Sequence, residues 1–270
     1  MKLCRFQVLE LNSKDLGRGS REFHPQPRAG IIEGDFVLEI EGDLWGSRKR
    51  TGQKWPLSEI RFLPPSTPSK IVCVGRNYAE HAKELGNEPP KEPLIFLKPP
   101  SSVIAPGDPI VLPPISQRVD HEGELAVIIG RRCFNLAPGE SAEPYVAGYT
   151  CLNDVTARDL QKRDGQWTRS KGFDTFCPFG PVIETEIDFA SAVLETHVNK
   201  VKKQSSPLSE MIFSVDVIIR WIAQVMTLEP GDVIATGTPA GISPLAAGDI
   251  VEVSVTGIGT LLNTVIAGEK

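Results

Sequence analysis

Three acidic residues carry most of the chemical information in this chain. Glu122 and Glu124 lie in Val119-Asp-His-Glu-Gly-Glu-Leu-Ala-Val-Ile-Ile129, and Asp154 follows in Cys151-Leu-Asn-Asp-Val-Thr-Ala-Arg-Asp-Leu-Gln161. The β-branched content of residues 119–129 predicts a strand, on which residues two apart face the same way. Glu122 and Glu124 then project together, and Asp120 is placed to join them. Neighbouring carboxylates repel, and burying them unpaired is costly. A divalent cation relieves both problems, and an all-carboxylate donor set suits Mg²⁺, Mn²⁺ or Ca²⁺ better than Zn²⁺. Pattern alone does not decide the matter, because Glu39, Glu41 and Asp43 repeat it in Val37-Leu-Glu-Ile-Glu-Gly-Asp43. That copy lies beside turn signals and reads as the wet face of a hairpin.

Other residues offer complementary chemistry. His81 and Glu84 stand three apart in Gly75-Arg-Asn-Tyr-Ala-Glu-His-Ala-Lys-Glu84, within reach of each other on one helix face. A carboxylate beside an imidazole fixes its tautomer and supports a general base; the plainer alternative is an incidental surface pair. Lys171 falls in the glycine-containing segment Trp167-Thr-Arg-Ser-Lys-Gly-Phe-Asp174. It either stabilises a developing oxyanion or is an ordinary solvated loop lysine. Thr236-Gly-Thr-Pro-Ala-Gly241 follows an apolar strand, and its threonines and backbone amides could grip a carboxylate. It lacks the Gly-Lys-Ser/Thr ending of a phosphate loop. His121 and His197 have no second histidine at helical spacing and read as structural, so no zinc motif is present.

These groups need elements to hold them. Residues 1–68 read as a small β-rich unit with strands at 3–9, 29–32 and 36–40, closed by the linker Phe62-Leu-Pro-Pro-Ser-Thr-Pro-Ser69. Residues 69–270 then offer a buried strand at 71–75, a helix at 77–85 ending at Gly86, and strands at 94–97, 110–112, 233–235, 250–255 and 260–265. Their spacing predicts mainly antiparallel or mixed sheets rather than repeated βαβ units. Ser214 is placed to cap a helix over 215–227 with a core-facing apolar stripe. With 270 residues, 40% of them hydrophobic and 23% charged, the chain has the composition of a globular protein. Its net charge of −5 and short basic runs, Arg48–Arg50 and Lys200–Lys203, which read as solvated turns, exclude nucleic acid as an expected partner. No apolar stretch is long enough to span a membrane. Five scattered cysteines suit a reducing compartment, with Cys73 and Cys151 expected to be buried, and the expected location is the cytoplasm.

Four segments, taken together and in order, resemble the fumarylacetoacetate hydrolase family: Lys70-Ile-Val-Cys-Val-Gly-Arg-Asn-Tyr-Ala-Glu-His81, Asp120-His-Glu-Gly-Glu-Leu-Ala-Val-Ile-Ile-Gly130, Asn153-Asp-Val-Thr-Ala-Arg-Asp-Leu-Gln161 and Gly231-Asp-Val-Ile-Ala-Thr-Gly-Thr-Pro-Ala-Gly241. Ser206-Pro-Leu-Ser-Glu-Met-Ile-Phe-Ser214 adds a fifth, and the likeness extends over residues 55–266. The resemblance implies an α+β, β-rich fold: mixed β-sheets rolled into an incomplete barrel-like core, preceded by a small N-terminal β domain, often dimeric. It implies Mg²⁺ or Mn²⁺, with Ca²⁺ as a stand-in, held by Glu122, Glu124 and Asp154. It makes His81 with Glu84 a base on a mobile lid helix and Lys171 a pocket lysine, with Gln161, Thr238 and Arg76 touching substrate. The branch it resembles contains acylpyruvate hydrolases, oxaloacetate decarboxylases and hydroxy-diene-dioate isomerases. These share one logic: a metal-chelated 2-oxo acid forms an enolate when a bond at C3 breaks. Acylpyruvate hydrolysis stands first on this reading, oxaloacetate decarboxylation second and isomerisation third. A non-enzymatic, metal-stabilised small-acid-binding protein is the alternative of a different class.

Overall fold

The computed structural model describes residues 1–11 and 21–269. Strands dominate. The larger sheet runs, edge to edge, through Arg48–Pro56, Phe36–Gly42, Arg28–Glu33, Lys2–Leu11, Cys177–Glu184, Val146–Asn153, Gly123–Ile129, Val233–Ala235, Ile71–Gly75 and Leu94–Lys98. A second sheet of five strands is ordered Ile110–Leu112, Gly259–Ala267, Ile250–Val255, Val193–Val198 and Val201–Pro207. Most neighbours are antiparallel, with parallel exceptions such as Val233–Ala235 beside Ile71–Gly75. The sheets are mixed and do not close, as expected for an incomplete barrel. The amino-terminal strands are continuous with the rest, because Lys2 and Leu3 pair with Glu184 and Ile183.

Every residue of Gly123–Ile129 is buried, so both faces of this strand are covered, as its near-continuous apolar sequence requires. One face meets the helix Val215–Ala223, whose Ile218, Ile219 and Ile222 pack with Val127, Ile129 and Val72. Ser214 caps that helix by accepting from the Val217 amide at 3.4 Å. The helix ends four residues short of the expected 227, because Leu228 exchanges two backbone hydrogen bonds with Cys133 and draws the chain into a bridge. All five cysteines are buried and unpaired.

Of two basic runs read as turns, Arg48–Arg50 is strand, while in Lys200–Lys203 the turn holds at Lys200 and the strand begins at Val201. Arg48–Pro56 pairs with Phe36–Gly42, and Val201–Pro207 pairs with Val193–Val198. Each lies at the edge of its sheet, where charged side chains face water and guard the open hydrogen-bonding edge. Glu39 accepts from Arg28 and from the Trp55 indole, each at 3.0 Å, so this acidic pattern belongs to the N-terminal sheet and not to a metal cluster.

Candidate active site

Four neighbouring strands deliver the site. The carboxyl ends of Ile71–Gly75, Val233–Ala235 and Val146–Asn153, and the amino end of Gly123–Ile129, lie on one side of the sheet. The expected continuous strand 119–129 is broken: Val119–Asp120 pairs with Thr156–Ala157, and pairing resumes at Gly123. At this break the Glu122 amide donates to the Asn153 side chain at 2.9 Å and the Asp154 amide to the Glu122 carbonyl at 2.8 Å. Ligand-capable atoms of Glu122, Glu124 and Asp154 therefore lie within 4.8 Å of one another, all three residues buried. Asp120 does not join them. The break turns its carboxylate to Arg118 at 2.9 Å and Arg158 at 3.0 Å.

The surrounding charges are unevenly shared. Lys171 Nζ donates to Glu122 Oε2 at 2.6 Å and Asp154 Oδ2 at 2.5 Å. Lys98 Nζ, fully buried, donates to Asp154 Oδ1 at 2.6 Å. Arg158 reaches Glu122 Oε1 at 2.5 Å. Glu124 receives only the Gly237 amide, at 2.7 Å, and among the described residues it forms no ion pair. Burial, then the charges of Asp154 and Glu122, push its carboxyl well above the usual carboxylate range. Burial also acts to raise Glu122, but Lys171 and Arg158 outweigh it and hold that group below the range. Burial opposes the charge of Lys171, yet Asp154 and Glu122 win and raise it. A buried carboxylate without an ion pair among the described residues, beside two others, is a donor set that fits a hard divalent cation.

Lys171 is thus no loop lysine. It ends the short helix Thr168–Lys171 and is 2% exposed. Lys98 and Arg158 escaped the sequence reading. Each had a signal: a lysine closing an apolar strand before Pro-Pro, and an arginine inside a matched motif.

The triad lines a cavity of about 410 Å³ together with Arg76, His81, Arg158, Gln161, Lys162, Trp167, Lys171 and Thr238, so all nine candidate residues except Glu84 face it. Glu84 stands behind His81, its Oε2 3.0 Å from Nδ1, while its Oε1 accepts from the Gly241 amide at 3.0 Å. Partial burial acts to raise Glu84, but the His81 ring and the Gly241 amide outweigh it and leave the carboxyl below its usual range. As an anion Glu84 can only accept, so the Nδ1 contact calls for the Nδ1–H tautomer, in which Nε2 carries the lone pair. The helix carrying the pair is Ala79–Glu84, shorter than the expected 77–85. Asn77 serves instead as an anchor, bonded to Ile212, Phe213 and Thr236. The Thr238 hydroxyl is already committed, donating to the Gly123 carbonyl at 2.8 Å, so the backbone of that loop is what it offers a ligand.

The family described as fumarylacetoacetate (FAA) hydrolase C-terminal matches residues 70–266, and one described as Rv2993c-like, N-terminal matches 24–65. Oxaloacetate tautomerase FAHD2A, mitochondrial, of Bos taurus is 39% identical over 98% of this chain and 92% of its own length. The crystal structure of 2-hydroxyhepta-2,4-diene-1,7-dioate isomerase from Mycobacterium marinum superposes with a TM-score of 0.84 at 42% identity, covering 100% of both chains. Maleylpyruvate hydrolase from Sphingobium, solved with manganese(II) and pyruvate, gives 0.77 at 28% identity over 100% of both chains. On the match across residues 70–266, the chain belongs to the fumarylacetoacetate hydrolase family.

Proposed function

We propose that this chain is a divalent-metal-dependent enzyme that moves a proton at C3 of a small 2-oxo dicarboxylic acid, interconverting keto and enol forms or shifting a double bond. The observation that carries this reading is Glu124: a buried carboxylate with no cation of its own among the described residues, in a triad that shares one cavity with His81. Full-length likeness to a tautomerase and an isomerase supports proton transfer ahead of hydrolysis, which stood first on sequence grounds.

Mg²⁺ or Mn²⁺ held by Glu122, Glu124 and Asp154 would supply a Lewis acid for charge developing on the 2-oxo oxygen. The chain does the rest. Glu84 holds the His81 tautomer so that Nε2 takes the C3 proton and delivers it to the 2-oxo oxygen to give the enol, or to the far carbon when a double bond shifts; the reverse direction retraces the path. Lys171 adds positive charge on the side of Glu122 and Asp154. Gln161 uses its carbonyl on Arg158 at 2.8 Å, which leaves its amide protons for the substrate. Arg76 and Lys162 line the cavity without an ion pair among the described residues, and they suit the second carboxylate. Arg76 is held at a φ of 60°, its Nε buried without a partner. The same His81–Glu84 pair could direct water at a distal carbonyl, and likeness to maleylpyruvate hydrolase favours C–C hydrolysis as the second reading. Assembly as a homodimer belongs to this proposal, and light scattering reads it.

The test is the pure protein with Mn²⁺ against enol-oxaloacetate, a hydroxy-dienedioate, acetylpyruvate and keto-oxaloacetate. Chelator-sensitive acceleration of the first two is expected; no metal-dependent turnover of any would overturn the reading. His81→Ala should lower turnover by about 10²-fold or more, the usual scale of general-base catalysis, while calorimetry finds Mn²⁺ affinity unchanged. Unchanged turnover would remove His81 from the mechanism. Arg76→Leu should raise KM for a dicarboxylate about tenfold, the scale of one lost charged contact. The inhibition constant of oxalate, too short to span both subsites, should stay put; a parallel loss would place Arg76 at the metal end instead.

A further inference from the structure

We infer that Gln204 is a positioning residue for the cavity, acting from a sheet that contributes none of the cavity's lining residues. The inference rests on reading that cavity as the substrate site. Gln204 lies on the edge strand Val201–Pro207, where three of its neighbours in the strand, Val201, Lys202 and Lys203, are exposed, yet it is itself 1% exposed. Its amide uses all four of its bonding positions. Oε1 accepts from the Gly123 amide at 3.0 Å and lies 3.2 Å from His121 Nδ1. Nε2 donates to Thr238 Oγ1 and to the Pro239 carbonyl, each at 2.7 Å. Gly123 offers only an N–H here and Pro239 only a C=O, so the amide has a single possible orientation.

Two glycines record how closely this strand and its neighbour Val193–Val198 are applied. A Cβ on Gly123 would lie 2.0 Å from Thr196 Oγ1 and 3.3 Å from Gln204 Oε1. A Cβ on Gly241 would lie 2.1 Å from the Lys203 carbonyl oxygen and 3.3 Å from the Gln204 side chain, at a φ of +105°. Gly123 separates Glu122 from Glu124. Gly237, whose amide holds Glu124 Oε2, adjoins Thr238. One side-chain amide therefore ties the backbone between two carboxylates to the loop that orients the second of them. Without it, buried N–H and C=O groups on both sides would lack partners, and the 236–241 loop would lose its fixed distance from Gly123.

The rival explanation is plain packing between sheets, and two variants separate the ideas. Gln204→Met keeps the volume and removes all four contacts. Thr196→Val alters the same interface but removes a hydroxyl that has no partner among the described residues. Titration calorimetry with Mn²⁺, then oxalate on the Mn²⁺-loaded protein, should find oxalate affinity lowered about tenfold or more in Gln204→Met, the scale of a lost hydrogen-bonded alignment. Mn²⁺ affinity should change much less, and Thr196→Val should match wild type in both. Gln204→Glu, which keeps the acceptor toward Gly123 but loses the donor toward Thr238, should repeat the oxalate loss and covers the case in which Gln204→Met fails to fold. Wild-type oxalate affinity in a folded Gln204 variant would overturn the inference, as would an equal loss in Thr196→Val. Hydrogen exchange decides independently of any ligand. Residues 121–124 and 236–241 should exchange faster in the Gln204 variants, and unchanged protection there would overturn the clamp. If wild type itself binds no oxalate, the functional reading fails while this exchange measurement still judges Gln204.

Discussion

Glu124→Gln is expected to lower turnover by about 10³-fold or more while making the metal-free protein more stable. The loss follows from removing the triad carboxylate that, among the described residues, has no ion pair. Charge stabilisation by a bound metal contributes several kcal/mol to the barrier, and each 1.36 kcal/mol is about tenfold in rate. The gain in stability follows from the same charge. Glutamine keeps the shape and can still accept from the Gly237 amide, but it ends the repulsion from Asp154 and Glu122. The sign of the pH dependence is fixed. The folded carboxyl titrates well above its ordinary value of 4.5. Between the two values the folded protein binds more protons than the unfolded chain, so stability falls as pH rises. Denaturant titrations in chelator at about pH 5 and about pH 8 should find wild type losing more stability across this window than Glu124→Gln. Equal slopes would mean that Glu124 is not the strained group. Retained turnover in the variant would remove it from the metal site.

Much of this site was legible because chemistry-bearing residues cluster in the chain. His81 and Glu84 are three apart and meet as helical spacing requires. Glu122, Glu124 and Asp154 come together as expected, although the route differs: the strand breaks at His121–Glu122, and the break is what turns Asp120 away. Long-range partners were not legible. Lys98 meets Asp154 across 56 positions and Gln204 meets Gly123 across 81, and no local periodicity encodes such pairings. The strand residues misread as turn in the basic runs, Arg48–Arg50 and Val201–Lys203, share one cause. Charge marks a solvated position, and both a turn and a sheet edge are solvated, so the decision lies with the neighbouring strands. Helix ends failed for a similar reason. Leu228 leaves the helical path because Cys133 supplies two hydrogen bonds, a competitor about a hundred positions away in sequence.

On the proposed mechanism Lys171 serves the fold and the chemistry at once, and removing it should separate the two. In the metal-free protein its ammonium joins Glu122 to Asp154 with almost no exposure to water. Lys171→Met fills similar space but leaves those carboxylates with Arg158 and Lys98 alone. Breaking a buried ion pair from one side costs about 3–5 kcal/mol, so in chelator the melting temperature should drop by several degrees or more. A divalent cation supplies charge to the same oxygens, so Mn²⁺ should stabilise Lys171→Met by more than it stabilises wild type, provided the triad still binds it. The comparison has a built-in control, because stability and turnover should part company. Saturating Mn²⁺ should recover the fold, but on the proposed mechanism it cannot replace the lysine's charge beside the developing oxyanion, so turnover should stay low. Thermal melts in chelator and in Mn²⁺, paired with steady-state rates at saturating metal, test both halves. A variant as stable as wild type in chelator would show that Lys171 does not neutralise the triad. Full turnover in Mn²⁺ would confine the residue to holding the empty site together until a cation arrives.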